Sequence, residues 1–205
     1  MRLLELVVSD QTDKKAIETV KNFCDVRLGK GVVTCKDTPG FIVNRLLVFW
    51  MQTALNVAVE DNVPLEVADA VMGKPIGVPK TAVFGLIDLV GVDLMPYLAN
   101  SMLSSLPKDD QYRKIYSDYP FVNQMIKAGY NGRKGKGGFY RLNPDAPKGS
   151  KEKQTLGLDP KKFDESQYRK SNKPKLESVK AGRKGLRAVV ETDDQGGHYA
   201  WKVLS

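Results

Sequence analysis

The sequence predicts a mainly α protein: a helical domain preceded by a small strand–helix–strand segment. Three observations lead there. Residues 46–59 carry no charge at all, and they follow Thr38-Pro39-Gly40, a helix-opening signature. Apolar residues then recur at helical spacing in several shorter stretches, each closed by Gly or Pro. Only two short apolar runs with strand character stand near the N-terminus, at 3–8 and 31–36.

In order, Leu-Leu-Glu-Leu-Val-Val at 3–8 and Gly-Val-Val-Thr-Cys-Lys at 31–36 read as strands. Between them, Ala16, Ile17, Val20, Phe23 and Cys24 mark a helix over 13–28. Two strands make too small a sheet to be stable alone. The first long helix is expected from Thr38, read as its N-cap with Pro39 at N1, to about Asp61. Its nearly all-apolar surface reads as buried, so Asn44 is expected to need an internal amide partner. A second helix is expected from Pro64 to Met72. A third should begin near Ala82 and run to Leu106 with a kink at Pro96. Shorter helices are expected at 109–116 and 120–128, then an extended stretch at 139–142. The tail from 186 reads as a short helix, a turn at 193–197 and a further helix.

The net charge of +8 is confined to one region. Residues 148–187 hold 13 Lys/Arg against 5 Asp/Glu, while the rest of the chain has 19 of each. With Pro160, Pro174 and little apolar periodicity, this segment reads as a solvated basic linker. It lacks the aromatic interleaving of a nucleic-acid surface, so no nucleic-acid partner is expected. No apolar run approaches the roughly 20 residues that span a bilayer, and no membrane partner is expected. The N-terminus shows no signal-peptide pattern, and Cys24 and Cys35 have no metal-ligand or redox spacing. A cytoplasmic protein with reduced thiols is the expectation.

Four segments in register resemble the L-3-hydroxyacyl-CoA dehydrogenase family. Lys36-Asp37-Thr38-Pro39-Gly40-Phe41-Ile42-Val43-Asn44-Arg45 resembles its signature at the junction of nucleotide-binding and helical domains. The strand from Met1 to Val8 resembles the one that follows the family's catalytic histidine. The segments 73–79 with 85–93, and the Gly/Lys-rich turn 129–140, resemble its later motifs. The resemblance covers roughly 1–142. It implies a remnant of the nucleotide-binding domain at 1–37 and a C-terminal-type helical substrate and assembly domain at 38–142. A basic linker would fill 143–185, and 186–205 would begin a second, truncated helical repeat. It implies NAD-dependent oxidation of 3-hydroxyacyl-CoA to 3-ketoacyl-CoA in fatty-acid β-oxidation. Within that reading the chain is a fragment, inert alone: it has no Gly-x-Gly-x-x-Gly after a strand, and its one histidine, His198, lies in the tail. NAD would be bound by the part that is missing.

The same resemblance makes Glu5 the carboxylate that pairs with the catalytic histidine, and so the catalytic candidate. It makes Asn44 the substrate-binding candidate. Read from the residues alone, Glu5 is a solvent-facing strand carboxylate and Asn44 a buried amide that holds a loop. No metal ligands are expected. Asp88 and Asp93 read as structural caps, and Lys134 and Lys136 as an exposed turn. Gly40, Gly77 and Gly91 read as backbone-geometry positions. Arg45 reads as a structural partner of Asp37 or Asp88. The implied partners are an acyl-CoA substrate and a second helical unit, either in a homo-oligomer or within one chain. Two alternatives stand beside this reading: a 3-hydroxybutyryl-CoA-type dehydrogenase of short-chain specificity, and a non-catalytic helical dimerisation module.

Overall fold

Two parallel strands open the chain, in a computed structural model that describes residues 2–205. Strands β1 (Leu3–Val8) and β2 (Gly31–Lys36) pair with Glu5 opposite Val33. Helix α1 (Lys14–Asn22) crosses between them, capped by Asp13, whose carboxylate accepts from Ala16 N at 2.8 Å. A single π turn, Phe23–Arg27, closes it. These elements fall where the apolar runs placed them.

The first long helix differs at its start. Gly40 and Phe41 both adopt positive φ, at 75° and 47°, so helical geometry cannot begin at Pro39. Helix α2 therefore spans Val43–Glu60. Thr38 does not cap it; its carbonyl closes the preceding turn by accepting from Phe41 N at 2.9 Å. The φ of 75° is what calls for glycine at 40; a Cβ there would also meet the Met102 methyl, the end of a flexible side chain that can move aside. The burial of α2 is graded. Val43, Asn44 and Leu46 are exposed, whereas Met51, Ala54, Leu55 and Ala58 are buried.

Helices α3 (Leu65–Val71) and α4 (Phe84–Val90) follow, then α5 (Leu94–Ser105). The last two were expected as one helix kinked at Pro96. The break lies instead at Gly91, whose φ of 122° turns the axis by 94°, and Pro96 sits harmlessly in the first turn of α5. No single helix among the described residues is long and apolar enough to cross a membrane. Helices α6 (Gln111–Ile115) and α7 (Pro120–Lys127) complete the central group.

The stretch expected as a solvated linker is folded. Strands β3 (Tyr140–Leu142), β4 (Lys153–Leu156) and β5 (Tyr168–Lys170) form an antiparallel sheet in that order. Thr155, Leu156 and Tyr168 are buried. Glu66 on α3 takes a bidentate pair from Arg169 at 2.7 and 2.8 Å and the Asn172 N–H at 3.1 Å. Burial alone would raise the Glu66 carboxyl; the Arg169 and backbone hydrogen bonds outweigh it and hold the group below its ordinary value. The segment's average charge concealed a few apolar anchors. The tail, α8 (Glu177–Ala181), α9 (Leu186–Val190) and α10 (Gln195–Leu204), also joins the main core through Val189, Tyr199, Ala200 and Val203. Tyr199 Oη donates to the Ala54 carbonyl of α2 at 2.9 Å. The helical unit is thus not closed at residue 142, since later residues supply part of its interior.

Two buried carboxylates organise that interior. Asp69 on α3 accepts from the Val83, Phe84 and Gly85 N–H groups at 2.9–3.0 Å, capping α4 from another helix. Asp88 on α4 is 3% exposed and accepts from Phe139 and Tyr140 N–H, both at 2.8 Å. Its own carbonyl accepts from Arg133 N at 2.8 Å. A Cβ at Gly138 would collide with Asp88 Oδ1, so that glycine is dictated by the carboxylate; one at Gly132 would collide with the backbone carbonyl of Asp88, so that glycine is dictated by the close approach of the two chains. Phe139 then enters the core with its ring 5.0 Å from Phe84.

Replacing Asp88 by Ala strands two buried N–H groups and is expected to cost about 2–4 kcal/mol, read by urea unfolding. Burial, opposed by the two backbone hydrogen bonds, pushes the Asp88 carboxyl up to about 7 from 3.8. The folded state then holds this proton more tightly than the unfolded chain does. The group's stabilisation is complete below about pH 4 and is lost as pH rises through 7. Wild-type stability relative to Asp88→Asn should therefore fall across that interval, and a flat difference would contradict the assignment.

The β1–α1–β2 segment leaves Phe23, Val26 and Leu28 more than half exposed beside unpaired strand edges. Concentration-dependent self-association is the expected behaviour in light scattering, and a strict monomer at high concentration would count against it.

Candidate functional site

Glu5 and Asn44, 39 residues apart in sequence, are brought together by one carboxylate. Glu5 sits on β1, and its Oε1 accepts from Ile42 N at 2.8 Å and Val43 N at 2.9 Å. It thus caps α2 in place of Thr38, where the helix dipole favours a negative charge. The next residue is Asn44, held in the first turn of the helix that Glu5 grips. Glu5 Oε2 accepts no hydrogen bond among the described residues and remains available. The cap pins the strand segment to the helical domain and fixes where Asn44 stands relative to the carboxylate.

Asn44 is exposed, with no partner among the described residues. The expectation of a buried amide bonded internally is corrected: the first turns of α2 project beyond the core, so apolar composition there does not mean burial. Arg45 pairs with Asp110, not with Asp37 or Asp88. Asp110 also caps α6 by accepting from Tyr112 N at 2.9 Å, so this pair ties the start of α2 to α6. Exposed Phe41, Ile42, Val43 and Leu46 surround Asn44 with apolar surface.

The remaining candidates lie elsewhere. Asp93 and Lys134 pair with each other at 2.9 Å across the Gly91 corner. Lys136 Nζ sits 5.8 Å from the centre of the Tyr130 ring. His198 is exposed on α10, pairs with Asp193 at 3.0 Å, and belongs to the helix packed on the buried half of α2. Cys24 and Cys35 are buried free thiols. No His/Cys/Asp/Glu group among the described residues could hold a metal ion.

The described residues do not fit a dinucleotide. A dinucleotide pyrophosphate is held by open backbone N–H groups at a glycine-rich strand-to-helix turn. The turn after β1, Ser-Asp-Gln-Thr-Asp at 9–13, has no glycine, and Asp13 already occupies the start of α1. Glu5 likewise occupies the start of α2. Both positions repel an anion.

Sequence reading missed a cleft on the helical domain. It lies between α2, α5 and the α6–α7 connection, has a volume of about 50 Å³, and is lined by Val48, Met51, Leu55, Met95 and Ala99 among others. Gln52 faces it but is spent on Asn56 Oδ1 at 2.8 Å and the Ser117 carbonyl at 3.2 Å. The signal was present in the sequence: 44, 48, 51, 52 and 55 share one helical face.

The family pattern described as "3-hydroxyacyl-CoA dehydrogenase, C-terminal domain" matches residues 40–142. The chain belongs to the 3-hydroxyacyl-CoA dehydrogenase family of oxidoreductases and contains its C-terminal helical domain. A probable 3-hydroxyacyl-CoA dehydrogenase of Bacillus subtilis is 30% identical over all of this chain and 25% of its own length. A putative fatty acid oxidation complex trifunctional enzyme of Rickettsia prowazekii is 37% identical over 77% of this chain and 22% of its own. The crystal structure of M. tuberculosis FadB2 superposes with a TM-score of 0.54 at 30% identity, covering 70% of this chain and 48% of that one. The chain therefore spans less than half the length of each.

Removing the Glu5 side chain releases two N–H groups at a solvent-exposed helix start. Glu5→Ala is expected to lower stability by about 1 kcal/mol and to raise amide exchange at Ile42 and Val43, with Asp88 contacts unchanged. Unaltered exchange there would remove the cap.

Proposed function

We propose that this chain supplies the helical substrate-binding part of an NAD-dependent L-3-hydroxyacyl-CoA dehydrogenase. The reaction oxidises the C3 hydroxyl of an acyl-CoA thioester to a ketone, with NAD as hydride acceptor. The carrying observation is the Glu5 clamp, which holds the Ile42 and Val43 N–H groups and so fixes the helix turn that carries the exposed Asn44. In this reading the Asn44 amide donates to the C3 oxygen as charge builds on it. Glu5 Oε2 accepts from the ring N–H of a histidine, fixing its tautomer and favouring the imidazolium form. That histidine comes from outside this chain, since His198 belongs to the other end of α2. The dinucleotide is likewise held by sequence other than the described residues. The chain by itself is therefore expected to be inert. The Rickettsia relative's description supports a place in fatty-acid oxidation. The clamp favours this reading over a pure dimerisation module, which needs no strand carboxylate held at the start of the helix that carries an exposed amide. Acyl length is the point on which a 3-hydroxybutyryl-CoA-type enzyme differs.

Joined to the upstream portion of the Bacillus subtilis relative, the chain should oxidise NADH with acetoacetyl-CoA. Alone it should not. Asn44→Ala and Glu5→Gln should each lower kcat/KM by about 100-fold or more. Turnover indifferent to both changes would reduce the resemblance to architecture.

A further inference from the structure

The basic region has no role in the chemistry described so far, and folding gives its charge a fixed place. Helices α8 and α9, and the 3₁₀ turn Gly182–Lys184 between them, all pack on a second turn, Lys74–Ile76, that follows α3. The approach is close: a Cβ at Gly182 would collide with the Pro75 backbone. Arg183 and Lys184 are thereby carried to the turn that bears Lys74, although the two turns are far apart in sequence. Residues 173–187 hold six Lys/Arg and one acidic residue, and 74–80 hold two Lys and no acidic residue. Lys180 pairs with Glu177, and Arg187 with Glu191. Lys74, Lys80, Lys173, Lys175, Arg183 and Lys184 are exposed and have no acidic partner among the described residues.

The shape of this face limits what it can hold. Each turn is followed by a glycine of positive φ, Gly77 at 81° and Gly185 at 103°, and a Cβ on either would meet nothing within 4 Å. The two turns are therefore outer corners of the fold and not the walls of a groove. An extended acidic peptide needs a groove or a free strand edge, and neither turn supplies one. Neither segment contains an aromatic residue on which a base could stack, and α8 and α9, five residues each, are too short to read a duplex groove. What the corners do carry is Leu186, 49% exposed, between Lys184 and Arg187 in the chain. An apolar side chain flanked by cations on a convex surface matches the edge of an anionic bilayer, with phosphates outermost and hydrocarbon just beneath.

We propose that these corners dock the chain on the surface of a lipid bilayer rich in anionic headgroups. Lipid phosphates meet the six unpaired cations, and Leu186 enters the headgroup layer. A bilayer can be bound in this way without being spanned, so the docking needs no membrane-crossing helix. None of these residues belongs to the candidate site, and the surface stands or falls independently of the proposed reaction.

The test is flotation of the chain with vesicles of phosphatidylcholine containing about one third phosphatidylglycerol, beside vesicles of phosphatidylcholine alone. The chain should float with the anionic vesicles only, and salt should release it by screening the headgroups. The triple variant Lys74→Gln/Arg183→Gln/Lys184→Gln should bind roughly 100-fold more weakly, about fivefold for each cation removed. Lys14→Gln/Lys15→Gln/Lys21→Gln, on α1, lowers the net charge by the same amount and should bind as the wild type does. Leu186→Ser should weaken binding severalfold and leave its salt dependence in place. No flotation, equal flotation with both kinds of vesicle, or equal loss in the two triple variants would overturn the proposal. Polyuridylate and CoA, offered at the same phosphate concentration, are the other sources of phosphate. Tighter binding of either than of the vesicles would transfer the surface to a nucleic acid or a nucleotide and remove the bilayer.

Discussion

Capture of backbone N–H groups by carboxylates from distant elements is the interaction on which this structure depends. Asp88 is the clearest case. The Gly132–Gly138 turn must bring Phe139 into the core, and its backbone arrives with N–H groups that have left water and have no strand to pair with. Asp88 receives those of Phe139 and Tyr140. Without that acceptor, burying Phe139 against Phe84 and Phe121 would carry the cost of two unmatched polar groups. Tyr140 extends the link, because its hydroxyl donates to the Leu65 carbonyl of α3 at 3.1 Å. Asp69 does the same work at the start of α4, and Asp194, itself the N-cap of α10, at the start of α8, where it accepts from Ser178 N. Short helices that would be marginal alone are stabilised by caps supplied from elsewhere in the fold.

The candidate site uses this device for a different end. Glu5 caps α2 from the parallel strand pair, and the same contact that satisfies the helix start positions Asn44. One helix thereby has two regimes. Its C-terminal half is locked by Leu55, Ala58 and the Tyr199 hydrogen bond, while its first turns stand exposed among apolar neighbours. A rigid rear and an accessible front suit a helix that presents an amide to a ligand. The Arg45–Asp110 pair braces the front against α6 without covering Asn44.

Much of this was legible in the residues. Strand runs at 3–8 and 31–36, the Gly-terminated helices and the motif string around Asn44 led directly to the fold class and to the family. The basic region misled because charge was averaged over it. Arg169, Thr155, Leu156 and Tyr168 are a small minority of that stretch, yet they attach it to α3 and the core. The long helix misled in the opposite sense, since its uniform apolarity does not separate surface that meets the core from surface that protrudes beyond it. Of the two aspartates read as structural caps, Asp88 accepts two backbone N–H groups, whereas Asp93 makes no side-chain hydrogen bond to the start of α5 and pairs with Lys134.

What the sequence determined by itself is local: periodicity, breakers and motif order, each a property of neighbouring residues that survives without knowledge of the fold. What only the tertiary structure decided is pairing at long range. That α2 begins at Val43, that Glu5 caps it, that Arg45 chooses Asp110, and that the region after 142 completes the core all depend on contacts between residues far apart in the chain. Helix propensity and charge are felt within a turn or two. The acceptor that satisfies a buried N–H can come from anywhere, and which one does so is settled only when the chain has closed upon itself.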